Sequence, residues 1–362
     1  MDTYTGGVIS GDIVKFILDH NAAQSAGFTD PGAQLKRRLY RAQHPTEILV
    51  MKCMDGRLNM ALYTETPPGI LQPFRNIGAK FDLGWPYFQE IVRDAVNFST
   101  AKGRECLMIS SYHFSKGDTH RGCAGFGYDT QAAMQAAFTL QEQFCRAAGG
   151  SHVVHPAAFA ITVGMETDEE SLIFHGENGK ELRVAELDPA TSAMDIRVLL
   201  QELYPRMSAQ MIADILPLVS GNIDHVREVR KANKKPIDCE HREQIITVGG
   251  GVDWLHMHNT ALIIGPYSLA WPDNVRVAGT IVKSNLDAGR IPEDPGVLLL
   301  VAALHRTEQG SFGAELKKEK VRYMLEQSLR ALEEGVPELM PHIRILAGVV
   351  SADTRKLALL ES

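Results

Sequence analysis

Apolar residues at helical spacing open the chain. Gly11-Asp12 precedes Ile13, Val14, Phe16, Ile17 and Leu18, which predicts a short amphipathic helix with Asp12 as its cap. Leu35 to Gln43 carries Lys36, Arg37, Arg38 and Arg41 and reads as a helix with a solvated basic face. From residue 46 the texture changes to short, continuous apolar runs. Glu47 to Cys53 is the first, ending in Met54-Asp55-Gly56, the pattern of a buried strand followed by a turn or helix start. Ile70 to Phe74 and Cys106 to Tyr112 predict two further strands. Tyr87 to Ser99 is helical in spacing, through Phe88, Ile91, Val92, Ala95, Val96 and Phe98. Thr130 to Ala148 predicts a long helix ended by Gly149-Gly150. Strands alternating with helices imply an α/β fold, a mostly parallel β-sheet flanked by helices.

The second half repeats this texture. Phe159 to Met165 reads as a strand, followed by a hairpin around Asn178-Gly179 and a helical stretch over about 193–232. Pro236 and the polar run Asp238 to Glu243 read as a linker. Strand candidates recur at 244–248, 260–265 and 297–304, then a helix over about 315–334 and a last strand from Ile343 to Val350. Phe74 to Leu83 and the later strand ending at His113 are echoed by Ile246 to Trp254 and the strand ending at His305, each strand-His segment preceding a long helix. The echo predicts a duplicated α/β unit. The expected division is a helical arm over 1–45, an α/β domain over 46–150 and a second α/β domain over 151–362.

Composition narrows the function. With 37 Lys and Arg against 44 Asp and Glu, the net charge is −7, which argues against a nucleic-acid partner. The longest purely apolar stretch, Gly296 to Leu304, is well short of the roughly 20 residues a bilayer span needs. The N-terminus lacks the basic start and apolar segment of a secretory signal, so neither a membrane nor a secreted protein is expected. Five widely spaced cysteines (53, 106, 123, 145, 239) do not make a disulfide framework, and the expected compartment is the reducing cytoplasm. Cys106 and Cys145 fall inside predicted elements and read as core. Cys239 and His241 read as loop residues, His256 and His258 as structural histidines, and Arg227 to Lys235 as a solvated basic run.

Two cysteine segments carry candidate chemistry. Cys53-Met-Asp55-Gly-Arg57 follows one strand; Cys123-Ala-Gly125 follows another, with His113 and His120 between that strand and Cys123. Ligand crevices of open α/β sheets lie outside the carboxyl ends of the strands, so two thiols and an imidazole can converge there. A Cys2His donor set with a free fourth position suits a catalytic zinc, which lowers the pKa of bound water enough to give hydroxide near neutrality. Asp55 either ligates the metal or accepts a proton from the water. Pairing with Arg57 would hold Asp55 ionised and off the metal.

Cys53-x-Asp55-x-Arg57, then Pro68-Gly69 after ten intervening residues and Arg75-Asn76 after five more, resembles the signature of β-class carbonic anhydrases. The resemblance covers roughly 47–145. It implies a β-carbonic-anhydrase-like fold and zinc (Zn2+) held by Cys53, a histidine and Cys123. It also implies Asp55 and Arg57 as the catalytic dyad, with Arg75-Asn76 in a structural role nearby. The usual histidine spacing is altered: His120 keeps the two-residue interval to Cys123, whereas His113 holds the family's place at the strand end. His113 is the favoured ligand, because the strand fixes it near Cys53, and His120 is the alternate. The enlarged spacing and a degenerate second half without its own Cys-x-Asp-x-Arg resemble the carboxysomal shell branch, and the chain is expected to hold one metal site.

The activity implied is reversible hydration of carbon dioxide to bicarbonate and a proton by zinc-bound hydroxide. Hydrolysis of carbon disulfide or carbonyl sulfide, and a non-catalytic zinc scaffold or bicarbonate sensor, are the alternatives. Members of the family build their sites around a dimer contact, which the duplication would supply within one chain; the N-terminal helices are expected to wrap a neighbouring chain and give a homodimer or higher homo-oligomer. Relatives in that branch carry a long extension before the catalytic domain, where this chain has about 45 residues. The expectation is therefore a cytoplasmic enzyme, with a bacterial microcompartment and association with a carboxysome shell or Rubisco as the alternative.

Overall fold

The computed structural model describes residue 9 and residues 11–149, 157–232, 242–255, 260–294, 296–306 and 310–361. Cys239, His241, His256 and His258 lie outside the described residues. The chain divides into two compact units: Leu35–Cys53 with Leu58–Ile237, and Met1–Gln34 with Met54–Arg57 and Asp238–Ser362. Each is an α/β unit built on its own sheet.

The first unit contains α2 (Pro31–Gln43, from Leu35 on), β1 (Glu47–Cys53), the single turn α3 (Met60–Tyr63), β2 (Leu71–Asn76), α4 (Pro86–Thr100), β3 (Cys106–Phe114) and α5 (Thr130–Ala147). It continues through β4 (Ala158–Glu166), β5 (Ser171–His175), β6 (Glu181–Arg183), α6 (Ala193–Leu203) and α7 (Ala209–Lys231). The strand order is β2-β1-β3-β4-β5-β6; the first four are parallel, and β5 and β6 are added antiparallel. Residues 48–53 of β1 and 106–113 of β3 are buried without alternation, as expected for parallel strands covered on both faces. The entry to β1 is pinned by the buried carboxylate of Asp214 on α7, which accepts from the Thr46 backbone N–H at 2.9 Å and lies 3.2 Å from His44 Nδ1. Of the basic residues expected on a solvated face of α2, Arg37 is buried. The run after Arg227 is ion-paired as far as it is described, Arg227 with Asp224, Arg230 with Glu169 and Lys231 with Glu228.

The second unit contains α1 (Ile13–Thr29), β7 (Ile245–Gly249), β8 (Ala261–Ile264), α8 (Trp271–Asp287), β9 (Val297–His305), α9 (Gly310–Gly335), β10 (Ile343–Ser351) and β11 (Leu357–Leu359). Its order is β11-β10-β9-β7-β8, parallel except for β11. Asp12 caps α1 by accepting from the N–H groups of Val14 and Lys15. Ile13 and Ile17 enter the core with Ile245, Leu298, Leu300 and Leu346, burial of about 1.5–3 kcal/mol for each side chain. The Asn21 side chain then accepts from the Leu357 N–H and donates to the Arg355 carbonyl. The apolar stripe of α1 is thus buried on its own chain.

These units are not bounded at residues 45 and 150. The arm is split between them, and β4 pairs with β3 over nine residues, so β4–β6 complete the first sheet. The second unit also takes in Met54–Arg57, which runs antiparallel beside β8: Gly56 N–H donates to the Ala261 carbonyl and Ile263 N–H to that of Met54.

The two sheets share one plan. The parallel order β2-β1-β3-β4 recurs as β8-β7-β9-β10, followed in each case by an antiparallel strand. The helices correspond, α4 with α8 and α5 with α9, and both α4 and α8 start at a Trp-Pro pair, Trp85-Pro86 and Trp271-Pro272. The matching strand of β7 is therefore β1, not β2 as the Phe74–Ile246 echo suggests; the pairing of His113 with His305 stands. Met51 lies opposite Ser110, three residues before His113, and Gly249 lies opposite Ala302, three before His305. Cys53 then corresponds to Gly251 and Asp55 to Asp253.

Candidate metal centre

Three donors gather at the carboxyl end of the first sheet. Cys53 is the last residue of β1, His113 stands one residue from the end of the adjacent β3, and Cys123 lies in the connection from β3 to α5. Their ligand atoms all lie within 4.8 Å of one another, and all three residues are buried. Among the described residues, neither ring nitrogen of His113 has a hydrogen-bond partner. A buried polar group left unpaired costs about 1–3 kcal/mol, which a metal on one nitrogen would offset. Two sulfurs and one imidazole are the donor set of an open, tetrahedral zinc site, so the residues present fit that ion.

The backbone around these donors is held from several sides. Arg75 donates to the Cys53 carbonyl at 3.4 Å and to the Leu58 carbonyl at 3.1 Å, and Lys52 Nζ donates to the same Leu58 carbonyl. Asn76 donates to the Lys80 carbonyl. Lys80 Nζ donates to the Gly125 carbonyl at 2.6 Å and stands over the Phe126 ring. Gly125 lies directly on Gly78: a Cβ there would stand 2.9 Å from the Gly78 backbone, so only glycine lets the Cys123 turn approach the end of β2. The Cys123 carbonyl accepts from the N–H groups of Phe126 and Tyr128.

His120 is outside this cluster. Its side chain is 79% exposed, with Nδ1 3.3 Å from Asp118 and the ring beside Tyr128. Asp55 and Arg57 form a tight pair within their own segment. Arg57 Nη2 donates to Asp55 Oδ2 at 2.6 Å, Nε lies 2.9 and 3.1 Å from the two carboxylate oxygens, and the Arg57 backbone N–H donates to Oδ1 at 2.9 Å. Such a fork keeps a carboxylate ionised and fixes its plane. Cys106, by contrast, sits inside β3, where burial pushes its thiol up to about 12, and burial also raises Cys145; neither thiol is in the cluster.

One group at this end of the sheet has no sequence signal. Asp168, in the turn from β4 to β5, accepts from Ser115 Oγ and from the backbone N–H groups of Lys116 and Gly117. It is a hairpin acid more than 50 residues from the loop it holds, and only the pairing of β4 with β3 brings the two together.

The family model for the catalytic domain of carboxysome shell carbonic anhydrases matches residues 41–235, more than half of the chain. The chain belongs to that family. The match contains all three clustered donors together with Asp55 and Arg57, and runs well past the 47–145 of the sequence resemblance. The carboxysome shell carbonic anhydrase of Halothiobacillus neapolitanus is 25% identical over 252 residues, 59% of this chain and 48% of that protein. That of Prochlorococcus marinus subsp. pastoris is 24% identical over 238 residues, 58% of this chain and 46% of that protein. The chain thus spans about half the length of the curated relatives it matches. The crystal structure of a β-carbonic anhydrase of Aspergillus fumigatus aligns at 14% identity over 53% of this chain and 99% of that one; its TM-score of 0.28 is too low to carry an argument. No helix among the described residues is long and apolar enough to cross a membrane.

Proposed function

We propose that this chain catalyses the reversible hydration of carbon dioxide with zinc held by Cys53, His113 and Cys123. The observation that carries the reading is the buried trio of donor atoms with an imidazole that has no hydrogen-bond partner among the described residues. When bound, zinc supplies a Lewis acid that makes water a nucleophile near neutral pH. The rest falls to the chain. Arg57 keeps the Asp55 carboxylate ionised and aimed. Asp55, two residues along the chain from Cys53, accepts a hydrogen bond from the attacking water and turns its lone pair toward the substrate carbon. Arg75, donating to the Cys53 carbonyl, holds the end of β1 in place. The proton released leaves through exposed groups, of which His120 beside Asp118 is the first candidate.

The names of the relatives support residence in a carboxysome, at its shell. Assembly as a homodimer or higher homo-oligomer, and one metal site per chain, complete the proposal.

Zinc content and stopped-flow hydration, on the wild-type chain and on Cys53→Ala, test this reading. The expected result is about one zinc per wild-type chain with hydration activity, both lost in the variant. Sulfide released from carbon disulfide or carbonyl sulfide without carbon dioxide hydration would reassign the substrate. Bound zinc with no hydration at any pH would make the chain a scaffold or sensor.

A further inference from the structure

His113 and Cys123 are separated by nine residues, and residues 115–121 fold around a single carboxylate. Asp168 Oδ2 accepts from the backbone N–H of Lys116 at 2.8 Å and of Gly117 at 2.7 Å. Ser115 Oγ lies 2.8 and 2.9 Å from its two oxygens, and Arg121 Nη1 stands 3.5 Å from Oδ1. Ser115 Oγ in turn accepts from the Asp118 N–H. Asp168 is itself anchored. The fully buried carboxylate of Glu166, the last residue of β4, accepts from the N–H groups of Asp168 and Glu169. Thr167 N–H and hydroxyl both reach the Phe114 carbonyl, tying the hairpin to the end of β3.

A connection between two ligands that is free in solution must be ordered when the metal binds, and that ordering weakens affinity. Here it is wrapped on a rigid acid that grips both ends of the loop: Ser115 two residues after His113, and Arg121 two residues before Cys123. We infer that Asp168 is a positioning residue for the metal centre, its carboxylate presetting the 115–121 loop so that Cys123 meets Cys53 and His113 without rearrangement. The inference rests on the proposed zinc site. It goes beyond it by assigning a determinant of metal affinity to a residue that touches neither metal nor substrate.

The test is zinc affinity by chelator competition, read beside the thermal midpoint of the metal-free protein, for wild type, Asp168→Ala, Asp168→Asn and His225→Ala. His225, on α7, pairs with Glu170 of the same hairpin, so its loss reports general weakening of the hairpin. Asp168→Ala is expected to weaken zinc binding about 10- to 100-fold, the usual effect of losing a group behind the ligands. Asp168→Asn, which keeps one carbonyl acceptor for the backbone N–H groups, should recover part of that affinity. His225→Ala should lower the midpoint and leave affinity unchanged. Wild-type affinity in Asp168→Ala, or an equal loss in His225→Ala, would overturn the inference. A wild-type chain that binds no zinc would instead overturn the proposed function.

Discussion

The same four parallel strands, in the same order and joined by corresponding helices, occur twice in this chain, and among the described residues only one copy collects donors. At the end of β1 stands Cys53; at the corresponding position, two residues beyond the end of β7, stands Gly251, with φ of +84°. The strand-end histidines also differ. His113 is buried with both nitrogens unpartnered among the described residues, whereas His305 is partly exposed and its Nε2 lies 3.2 Å from the Gly310 carbonyl. Asp55 is gripped by Arg57; Asp253 lies 3.4 Å from Arg355, across the sheet order rather than two residues along the chain. The scaffold thus fixes where a site can be, and the side chains at two strand ends and in one following loop decide whether there is one. A second copy freed from ligand residues is free to serve packing: Val252, Trp254 and Leu255, just beyond Gly251, enter the core that receives Ile13 and Ile17.

The largest expected effect comes from trying to exchange the two ends. Cys53→Ala should abolish stable zinc binding and lower hydration by more than the roughly 100-fold upper range for groups behind the ligands. The reverse change, Gly251→Cys, should add no zinc, because no cysteine follows residue 239 to play the part of Cys123. It should also cost about 1–3 kcal/mol, since the backbone is left-handed there and a Cβ would stand 3.0 Å from Leu304 Cδ1 and Val350 Cβ. Metal analysis and thermal denaturation read both. A second equivalent of zinc in Gly251→Cys would break the comparison.

Next come the acids. Asp55→Asn is expected to lower hydration by about 10²- to 10⁴-fold with zinc content unchanged, the range for a group that handles a proton in the reaction. Asp253→Asn, at the matching position, should leave activity alone. If the two variants behave alike, Asp55 is no more than a structural acid, as Asp253 is. Among the histidines, His113→Ala should release zinc, while His120→Ala and His305→Ala should retain it, measured as metal content after dialysis. Zinc retained in His113→Ala but lost in His120→Ala would exchange the two roles.

The first sheet was legible where strands are buried on both faces, because a continuous apolar run such as Glu47 to Cys53 has few other readings. Helix α8 was not read from the sequence, although Val275, Ala278 and Val282 carry its period, because its Val, Thr and Ile content is poor in helix formers and only Trp271-Pro272 marks its start. The amphipathic pattern of α1 showed that a face is buried but not against what, so its docking on the second sheet was out of reach. The alternation of strands and helices implied that two thiols and an imidazole can meet at the strand ends, and the family resemblance named Cys53, His113 and Cys123 as the set. The register of the duplication was misread because the glycines after β7 mimic Asn76-Ile-Gly78, and the strand order corrects it. Asp168 left no trace at all: two of its partners are backbone N–H groups, which carry no residue signature, and Ser115 and Arg121 lie more than 45 residues away along the chain.

The smallest effect sharpens the comparison one strand further out. The antiparallel fifth strand is β5 in one copy and β11 in the other, and only β5 carries a buried titratable group, His175, where β11 has Leu357, Ala358 and Leu359. His175 Nε2 lies 2.9 Å from the Tyr112 hydroxyl and Nδ1 3.2 Å from Glu181 Oε1. Burial holds this imidazole below its ordinary value, against the opposing pull of Glu181. The unfolded chain takes up a proton near pH 6.5 that the folded chain resists, so below that pH the unfolded state binds more protons and stability falls as pH falls. Denaturation midpoints between pH 7.5 and 5.5 should therefore drop in the wild-type chain and drop less in His175→Gln, which keeps a polar atom for Tyr112 but cannot titrate. Equal slopes in the two proteins would remove His175 from the acid sensitivity of the fold and leave the fifth strands of the two copies alike in this respect.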